Sequence, residues 1–560
     1  MNMQKIKELA YRFRYEIFAV LGAVVVLWQM LLPGYVIVLD MVFGPHVNPP
    51  SYSGLSASGF PVSYLIYLLH FVLSGWVLEK VILLALFFSL FYLPLQFYPF
   101  SNTYSEAYFV SLLYAVNPFV YERFLAGQWK VLVAYAFLFP FLSLLLRFYK
   151  NLSWRSVLCA FGWLLAMGMF SLHVLVMGTI ILAIYTVAAA VRMSVSREWQ
   201  ILKTFLWRLC LSVVLLCAIS SYWVIPAFTT PTTAVSTFTG ADLEAFKTAG
   251  DTHIGLLGNV AALYGFWGEH ELWSAYSSSP KERPWLWGIS GAVLAVIIAL
   301  GVVGGLRDTR TRFLALLIAL IGVVSFVFSV GLGESILLPF NTWLFEHVWF
   351  WRGFRDTEKW SGVLALSYVL LGGLGLGYLA RTVAGYKKSL WAVALGACVL
   401  PLLYTPNMLF GFNNQLRPVW YPSVWQEANN ILKQDSACKA IFLPWHSYYT
   451  AIFNNRVLAA NTAPAYFDCN IISAANAEIG EVSYGIKASD LTYRAIDKAV
   501  TSNIDSPDAT IKLLASYGVR FIIFTPDELY ADHYRYPFLS SSHLKKVIET
   551  PSLVLYSLVW

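Results

Sequence analysis

The charged residues of this sequence are few, and they gather in short polar stretches between apolar ones. Asp40 closes the run Pro33-Gly-Tyr-Val-Ile-Val-Leu-Asp. Glu122 and Arg123 lie in Asn117-Pro-Phe-Val-Tyr-Glu-Arg-Phe, which leads into Ala126-Gly-Gln-Trp. The stretch from Thr229 to Pro284 carries Asp242, Glu244, Asp251, His253, Glu269, His270 and Glu271. A fourth, from Gly331 to Lys359, brings Arg352, Arg355, Asp356, Glu358 and Lys359 together near its end. Carboxylates can move protons, and arginine and lysine can hold an anion. Each group also has a plainer reading. Asp40 could be a polar stop at a helix end, Glu122 and Arg123 a loop brace, and the Arg352 to Lys359 cluster a solvated helix start with carboxylates near its N-terminus. Asp251, His253, Glu269 and His270 offer metal-ligand atoms, so a divalent cation (Mg or Mn) stays open, although their spacing matches no template such as H-E-x-x-H. His173, in Ser-Leu-His between two apolar stretches, reads as a buried, hydrogen-bonded histidine. No Gly-rich phosphate loop is present: Gly331-Leu-Gly-Glu-Ser lacks the lysine, and Gly372-Gly-Leu-Gly-Leu-Gly falls inside a helix, where glycine permits close helix packing.

The elements that must position these residues are membrane spans. Of 560 residues, 58% are apolar and only 12% charged, against roughly 25% charged in an average soluble protein. Too few polar side chains remain to cover soluble domains of this length. The net charge of +7 first suggests an anionic partner such as nucleic acid. Its distribution says otherwise: there are 26 Lys and Arg against 18 Asp and Glu up to Pro406, and 12 against 13 beyond it. The sequence therefore divides into a membrane region, 1–406, and a polar domain, 407–560.

A spanning helix needs about 20 mostly apolar residues. Eleven candidates follow: Ile17 to Leu39, Trp76 to Tyr98, Ala107 to Val120, Val131 to Leu146, Val157 to Ser171, Val174 to Val191, Leu209 to Phe228, Trp285 to Leu306, Phe313 to Val330, Trp360 to Ala380 and Leu390 to Tyr404. Lys and Arg are retained on the cytoplasmic side, and 17 of the 26 basic residues of this region fall in the N-terminus and alternate loops. That pattern puts the N-terminus in the cytoplasm. The loops 40–75, 229–284 and 331–359, with the polar domain, are then outside, in a protein of the plasma membrane. Phe60 to Gly75 reads as an amphipathic helix lying in the interface, because an extra span there would reverse every later basic loop. The excess charge is thus a topology signal, and it no longer argues for nucleic acid.

A carboxylate just after the first span, an acid in the second outer loop, basic residues in late outer loops and an outer C-terminal domain form a layout that resembles the GT-C superfamily of membrane glycosyltransferases. Within it the chain looks most like the arabinofuranosyltransferase-type and YfhO-like membrane proteins. The strings that carry the likeness are Pro33-Gly-Tyr through Asp40, Asn117-Pro-Phe-Val-Tyr-Glu-Arg-Phe with Ala126-Gly-Gln-Trp, and Phe354-Arg-Asp-Thr-Glu-Lys. The resemblance implies an inverting glycosyltransferase. It would take a sugar from a polyprenyl-phosphate donor to an extracytoplasmic glycan, lipid or protein acceptor, with membrane lipids around it. It makes Asp40 the general base and Glu122 the second-loop acid. Arg352, Arg355, Lys359 and Arg123 are the cations available to a leaving lipid phosphate, whose charge grows in the transition state. Many members carry paired acids in the first loop; here Met41 follows Asp40, which weighs against a metal role for Asp40.

Beyond Pro406 the pattern changes to short strands and helices, as in a small α/β domain: Lys439 to Leu443, Val519 to Phe524 and Ser552 to Leu558 read as strands and Pro507 to Tyr517 as a helix. Its aromatic residues Tyr448, Tyr449, Tyr466 and Phe467 suit packing against the membrane region or sugar stacking. Cys438 and Cys469 both lie in this outer domain, where a disulfide is allowed. Two other readings stay open. A lipid-carrier flippase or transporter predicts charges in mid-span, of which there are almost none. A non-catalytic scaffold of an envelope-polysaccharide complex would keep the fold and lose the chemistry.

Overall fold

The computed structural model describes residues 11–100, 104–230, 240–270, 279–333, 336–382, 387–479, 482–485, 491–501, 506–526 and 536–559. Each of the eleven apolar segments contains a helix. They are α1 (Arg14–Leu27), α3 (Gly75–Phe97), α4 (Tyr104–Ala115), α6 (Trp129–Asn151), α7 (Trp154–Phe170), α8 (Leu172–Val195), α9 (Trp199–Thr229), α10 (Pro284–Arg307), α11 (Arg312–Val330), α12 (Ser361–Thr382) and α13 (Lys387–Tyr404). Among the described residues eight helices are long and apolar enough to cross a membrane, and α13 with its bent continuation makes a ninth. α7 is apolar but shorter, and α4 has only 12 residues. The chain is a polytopic helical membrane protein with a C-terminal sheet domain. α6 and α12 occupy its centre, while α9 shows most of its apolar surface to the outside, as a lipid-facing helix does.

The small residues read as packing sites act as such. An added Cβ at Gly301 of α10 would collide with the Leu371 carbonyl, and one at Gly375 of α12 with the Ile297 carbonyl, so these two helices meet backbone to backbone. The helix α2 (Phe60–His70), read from sequence as interfacial, has no buried residue and exposes Tyr64, Leu65, Leu68 and Leu69.

Two helix ends differ from the sequence expectation, and both bear on the site. The first span stops early: α1 gives way to a 3-10 turn, Trp28–Leu31, before Pro33 and Gly34 break the helix. Pro33 drives Leu32 to an extended ψ of 158°, and Gly34 takes φ +116°. From there the chain runs extended. Tyr35 exchanges two 2.8 Å backbone hydrogen bonds with Val419, and the Val36 amide is accepted by the buried Glu79 carboxylate at 3.0 and 3.1 Å. The third span also ends early. Asn117 caps a new helix, α5 (Pro118–Leu125), its Oδ1 accepting from the Val120 amide at 3.1 Å, with Pro118 at the position where a missing N–H costs nothing.

The polar domain is built on a five-stranded sheet of order β4-β1-β7-β9-β8. Its strands are β1 (Lys439–Leu443), β4 (Asn470–Ile472), β7 (Phe521–Phe524), β8 (Leu544–Glu549) and β9 (Val554–Leu558), while β5 (Asn476–Ile479) and β6 (Val482–Gly485) form a separate antiparallel pair. β1 runs parallel to β4 and β7, and β9 antiparallel to β7 and β8. β1 reads as a continuous apolar run because it is buried on both faces. Cys438 and Cys469, just before β1 and β4, form a disulfide with Cα atoms 5.2 Å apart. A small antiparallel hairpin, β2 (Tyr448–Thr450) with β3 (Leu458–Ala460), projects toward the membrane region. There Leu39 donates to Leu458 O and accepts from Ala460 N, both at 2.9 Å.

Candidate active site

Asp40 stands on a tight turn and not at a helix end. Met41 N donates to Val38 O at 2.8 Å and Val38 N to Met41 O at 3.1 Å, so Asp40 lies at the tip. The turn is wedged between two other segments: Asp40 N donates to Ala126 O at 3.3 Å, and Leu39 pairs with β3. Gly127, φ +72°, makes this fit, since a Cβ there would collide with the backbone of Val38 to Met41. The Ala126-Gly-Gln-Trp string thus has a structural reason.

The Asp40 carboxylate is reached by solvent, at a turn with polar and charged side chains around it. The Tyr448 hydroxyl donates to its Oδ1 at 2.7 Å, and Gln128 also hydrogen-bonds it. Lys359 and Arg355 lie close enough to act on its charge. Burial pushes the carboxyl above its ordinary range, and Tyr448, Lys359, Gln128 and Arg355 offset part of that rise. Tyr448 in turn holds its own proton more firmly than usual, because of burial and the neighbouring Asp40 charge. The arrangement is a carboxylate with a raised proton affinity, neutral donors on one side and two cations nearby.

Beneath the turn lies a closed ionic network. Arg123, on α5, is fully buried. It is held bidentately by Asp356, at 2.5 and 3.0 Å, and by Glu358. It also donates to Gln128 Oε1 at 3.1 Å. Lys359 donates to Asp356 Oδ2 at 2.9 Å. Burial alone would raise the Asp356 carboxyl, but Arg123 and Lys359 outweigh it and hold the group well below the ordinary carboxylate range. The same pairing outweighs desolvation at Arg123 and fixes its charge. Arg123 is therefore enclosed by protein carboxylates and does not face an open phosphate site. The Asp356 to Lys359 segment is likewise not a solvated helix start: Asp356, Thr357, Glu358 and Lys359 are all buried.

Glu122 is fully buried and accepts the Phe266 amide at 3.3 Å, tying the long loop to α5. Phe266 lies against Arg123, whose guanidinium carbon is 4.8 Å from the ring centroid. Arg355 covers the Phe246 ring at 4.0 Å. Arg352 turns to the Phe345 carbonyl at 3.2 Å. His173 is half-buried and hydrogen-bonded to Gly353 O at 2.8 Å. Asp251 caps its own loop, accepting from the amides of His253 and Ile254 at 2.8 and 3.2 Å. Glu271 lies outside the described residues, as do the side chains of Asp242, Glu269 and His270. Among the described residues no three His, Cys, Asp or Glu side chains group as metal donors, and the neighbours of Asp40 are cations and neutral donors.

The structure thus brings Asp40, Arg355 and Lys359 together and places Arg123 and Glu122 beneath them. Sequence reasoning missed Gln128 and the pairing of Tyr448 with Asp40. Gln128 had a signal in its place one residue after Gly127; Tyr448 had none.

No family model matches the chain, and no curated protein matches it. Solved structures do. It is similar to the arabinofuranosyltransferase AftD from Mycobacteria, with TM-score 0.55 and 14% identity over 98% of this chain and 40% of that one. A mutant of AftD gives TM-score 0.55 and 14% identity over 98% and 42%. ArnT from Cupriavidus metallidurans gives TM-score 0.49 and 13% identity over 98% of each chain. The chain spans about two fifths of AftD's length. At these identities the likeness to AftD establishes architecture: the chain has a GT-C-like fold.

Proposed function

We propose that this protein is an inverting membrane glycosyltransferase that moves a sugar from a polyprenyl-phosphate-linked donor to an extracytoplasmic glycan, lipid or protein acceptor. One observation carries the reading: the Asp40 carboxylate, raised in proton affinity and bound by the Tyr448 hydroxyl, lies within the influence of the Lys359 and Arg355 charges at the end of a membrane bundle. In the step proposed, the acceptor oxygen attacks the anomeric carbon while its proton passes to Asp40. The bond from that carbon to the phosphate oxygen breaks with its electron pair, and the lipid phosphate leaves on the opposite face. A single displacement inverts the anomeric centre. Arg355, with its planar fork, stabilises the departing phosphate, and Lys359, whose ammonium is bound by Asp356, acts on it through its charge. Arg352 extends the cationic rim. Arg123 and Glu122 are positioning residues in this scheme: they hold the late loop and the long loop in place. Retention of the basic loops in the cytoplasm puts the N-terminus there, and the Asp40 turn and the polar domain outside.

The test is transfer by the purified full chain in detergent from a polyprenyl-phosphate sugar, with product stereochemistry read by NMR. Asp40→Asn is expected to lower transfer at least about 100-fold, within the usual range for a lost general base, with an unchanged thermal unfolding profile. Equal transfer by both proteins removes Asp40 from the mechanism.

A further inference from the structure

A second concavity lies beside the Asp40 segment. It has a volume of about 250 Å³ and is lined by the polar residues Asn414, Gln415, Arg417, Asn454 and Asn455 together with four aliphatic ones, Val36 and Ile37 among them. Two unusual turns build it. Phe410, Gly411, Phe412, Asn413 and Asn414 all have left-handed φ, between 54° and 74°. Across the pocket, Asn455 and Arg456 have φ 51° and 58°. Asparagine tolerates this region, but two phenylalanines do not adopt it freely. The first turn is rooted by Phe412, fully buried and stacked on Phe124 and Tyr121 at 4.6 and 5.6 Å. It is tied further by Gln415 Nε2 donating to the Tyr121 hydroxyl at 2.9 Å. Asn454 anchors the second, donating to Ile37 O at 3.1 Å and Val457 O at 3.0 Å. Backbone strain kept in place by buried anchors suits a surface shaped for a ligand better than a merely solvated one.

The chemistry of the lining narrows the ligand. Amide side chains both donate and accept, as sugar hydroxyls require. No Asp or Glu lines the pocket, and Arg417 is its single charge. Among the described residues the Arg417 guanidinium has no ion-pair or hydrogen-bond partner, and neither have the side-chain amides of Asn414 and Asn455. One cation balances one negative charge, so a carboxylate fits better than a phosphate monoester, which carries about −1.5 to −2. Ile37 precedes Asp40 by three residues, at most about 10 Å of extended chain. The pocket and the candidate base therefore share one short segment of chain.

We propose that this pocket is an acceptor subsite for a uronate-bearing saccharide. Its place as an acceptor subsite rests on the transferase reading; the binding itself does not. The test is calorimetric binding of trigalacturonate and of neutral maltotriose to the full chain in detergent, with the transfer assay run in parallel. Trigalacturonate is expected to bind at least about tenfold more tightly than maltotriose, the worth of a charge-assisted hydrogen bond. Arg417→Ala and Asn455→Asp should each abolish that preference. The second is nearly isosteric, tolerates the left-handed φ and adds an opposing charge, so its loss is not one of folding. Asp40→Asn should bind trigalacturonate as the wild type does. Equal binding of the two sugars, a preference untouched by both pocket variants, or tighter binding of a phosphorylated maltotriose overturns the proposal. Uronate binding without transfer by the wild type keeps the pocket as a uronate site and refutes the transferase reading. Transfer without uronate preference does the reverse.

Discussion

The hydroxyl of Tyr448 donates a 2.7 Å hydrogen bond to Oδ1 of Asp40, joining residues 408 positions apart. The polar domain therefore supplies part of the environment that sets the protonation of the candidate base.

Removing that hydroxyl has a defined sign. Burial raises the Asp40 pKa, and the Tyr448 bond, which favours the carboxylate, opposes the rise. A base works only when deprotonated, so activity is present above this pKa and is lost as pH falls through it. Tyr448→Phe should move the acid limb of the rate profile to higher pH, because a hydrogen bond that favours the charged form is lost. Activity at the high-pH plateau should be nearly restored. A profile that drops uniformly at all pH values would show that Tyr448 acts only through packing.

Arg123 is a test of stability more than of chemistry. Arg123→Met leaves Asp356 and Glu358 buried beside no guanidinium, a situation that costs about 3–5 kcal/mol. Arg123→Lys should recover only part, because an ammonium cannot bridge both carboxylates in the same plane. Adding Asp356→Asn and Glu358→Gln to Arg123→Met should recover more than the lysine does. Unfolding midpoints in detergent measure all three.

Gly127→Ala should separate activity from stability. A left-handed alanine is strained by about 1–2 kcal/mol, which the fold tolerates. The methyl group, however, strikes the backbone of the Asp40 turn, and a displacement of that kind can lower turnover up to about 100-fold. Wild-type kcat in a folded Gly127→Ala protein would refute the wedge described above.

The disulfide should stabilise the polar domain without entering the chemistry. Cys438 and Cys469 are separated by 31 positions, and closing a loop of that length is worth about 3–4 kcal/mol on the chain-entropy account. Cys438→Ser with Cys469→Ser should lower the unfolding midpoint of the sheet domain and leave transfer at permissive temperature intact. Reduction of the wild type should give the same shift.

The helical architecture was legible because a bilayer demands a length and an apolar composition that few other structures share. Asp40 was legible for a related reason: a lone acid beside a long apolar run is conspicuous. The ends of the first and third spans were not, because Leu32 to Leu39 and Val116 to Val120 are as apolar as the helices before them, and only Pro33-Gly34 and Asn117-Pro118 mark the breaks. The role of Arg123 was hidden for another reason. Its neighbour Glu122 offers an apparent partner, whereas its true partners, Asp356 and Glu358, stand more than 230 positions away. Tyr448 is one of 33 tyrosines, and nothing local distinguishes it.

The clamping of the Asp40 turn by β3 and Tyr448 also fixes an order of events during biogenesis. A ribosome delivers Asp40 and α5 to the membrane first, and the hairpin that pairs with the Asp40 turn only after the last span has been made. Until then the Asp40 turn lacks its pairing with β3 and the Tyr448 hydroxyl that lowers its proton affinity. On the transferase reading, a stalled or truncated nascent chain leaves the lipid-linked sugars around it untouched, and competence arrives only when the C-terminal domain has folded onto the turn.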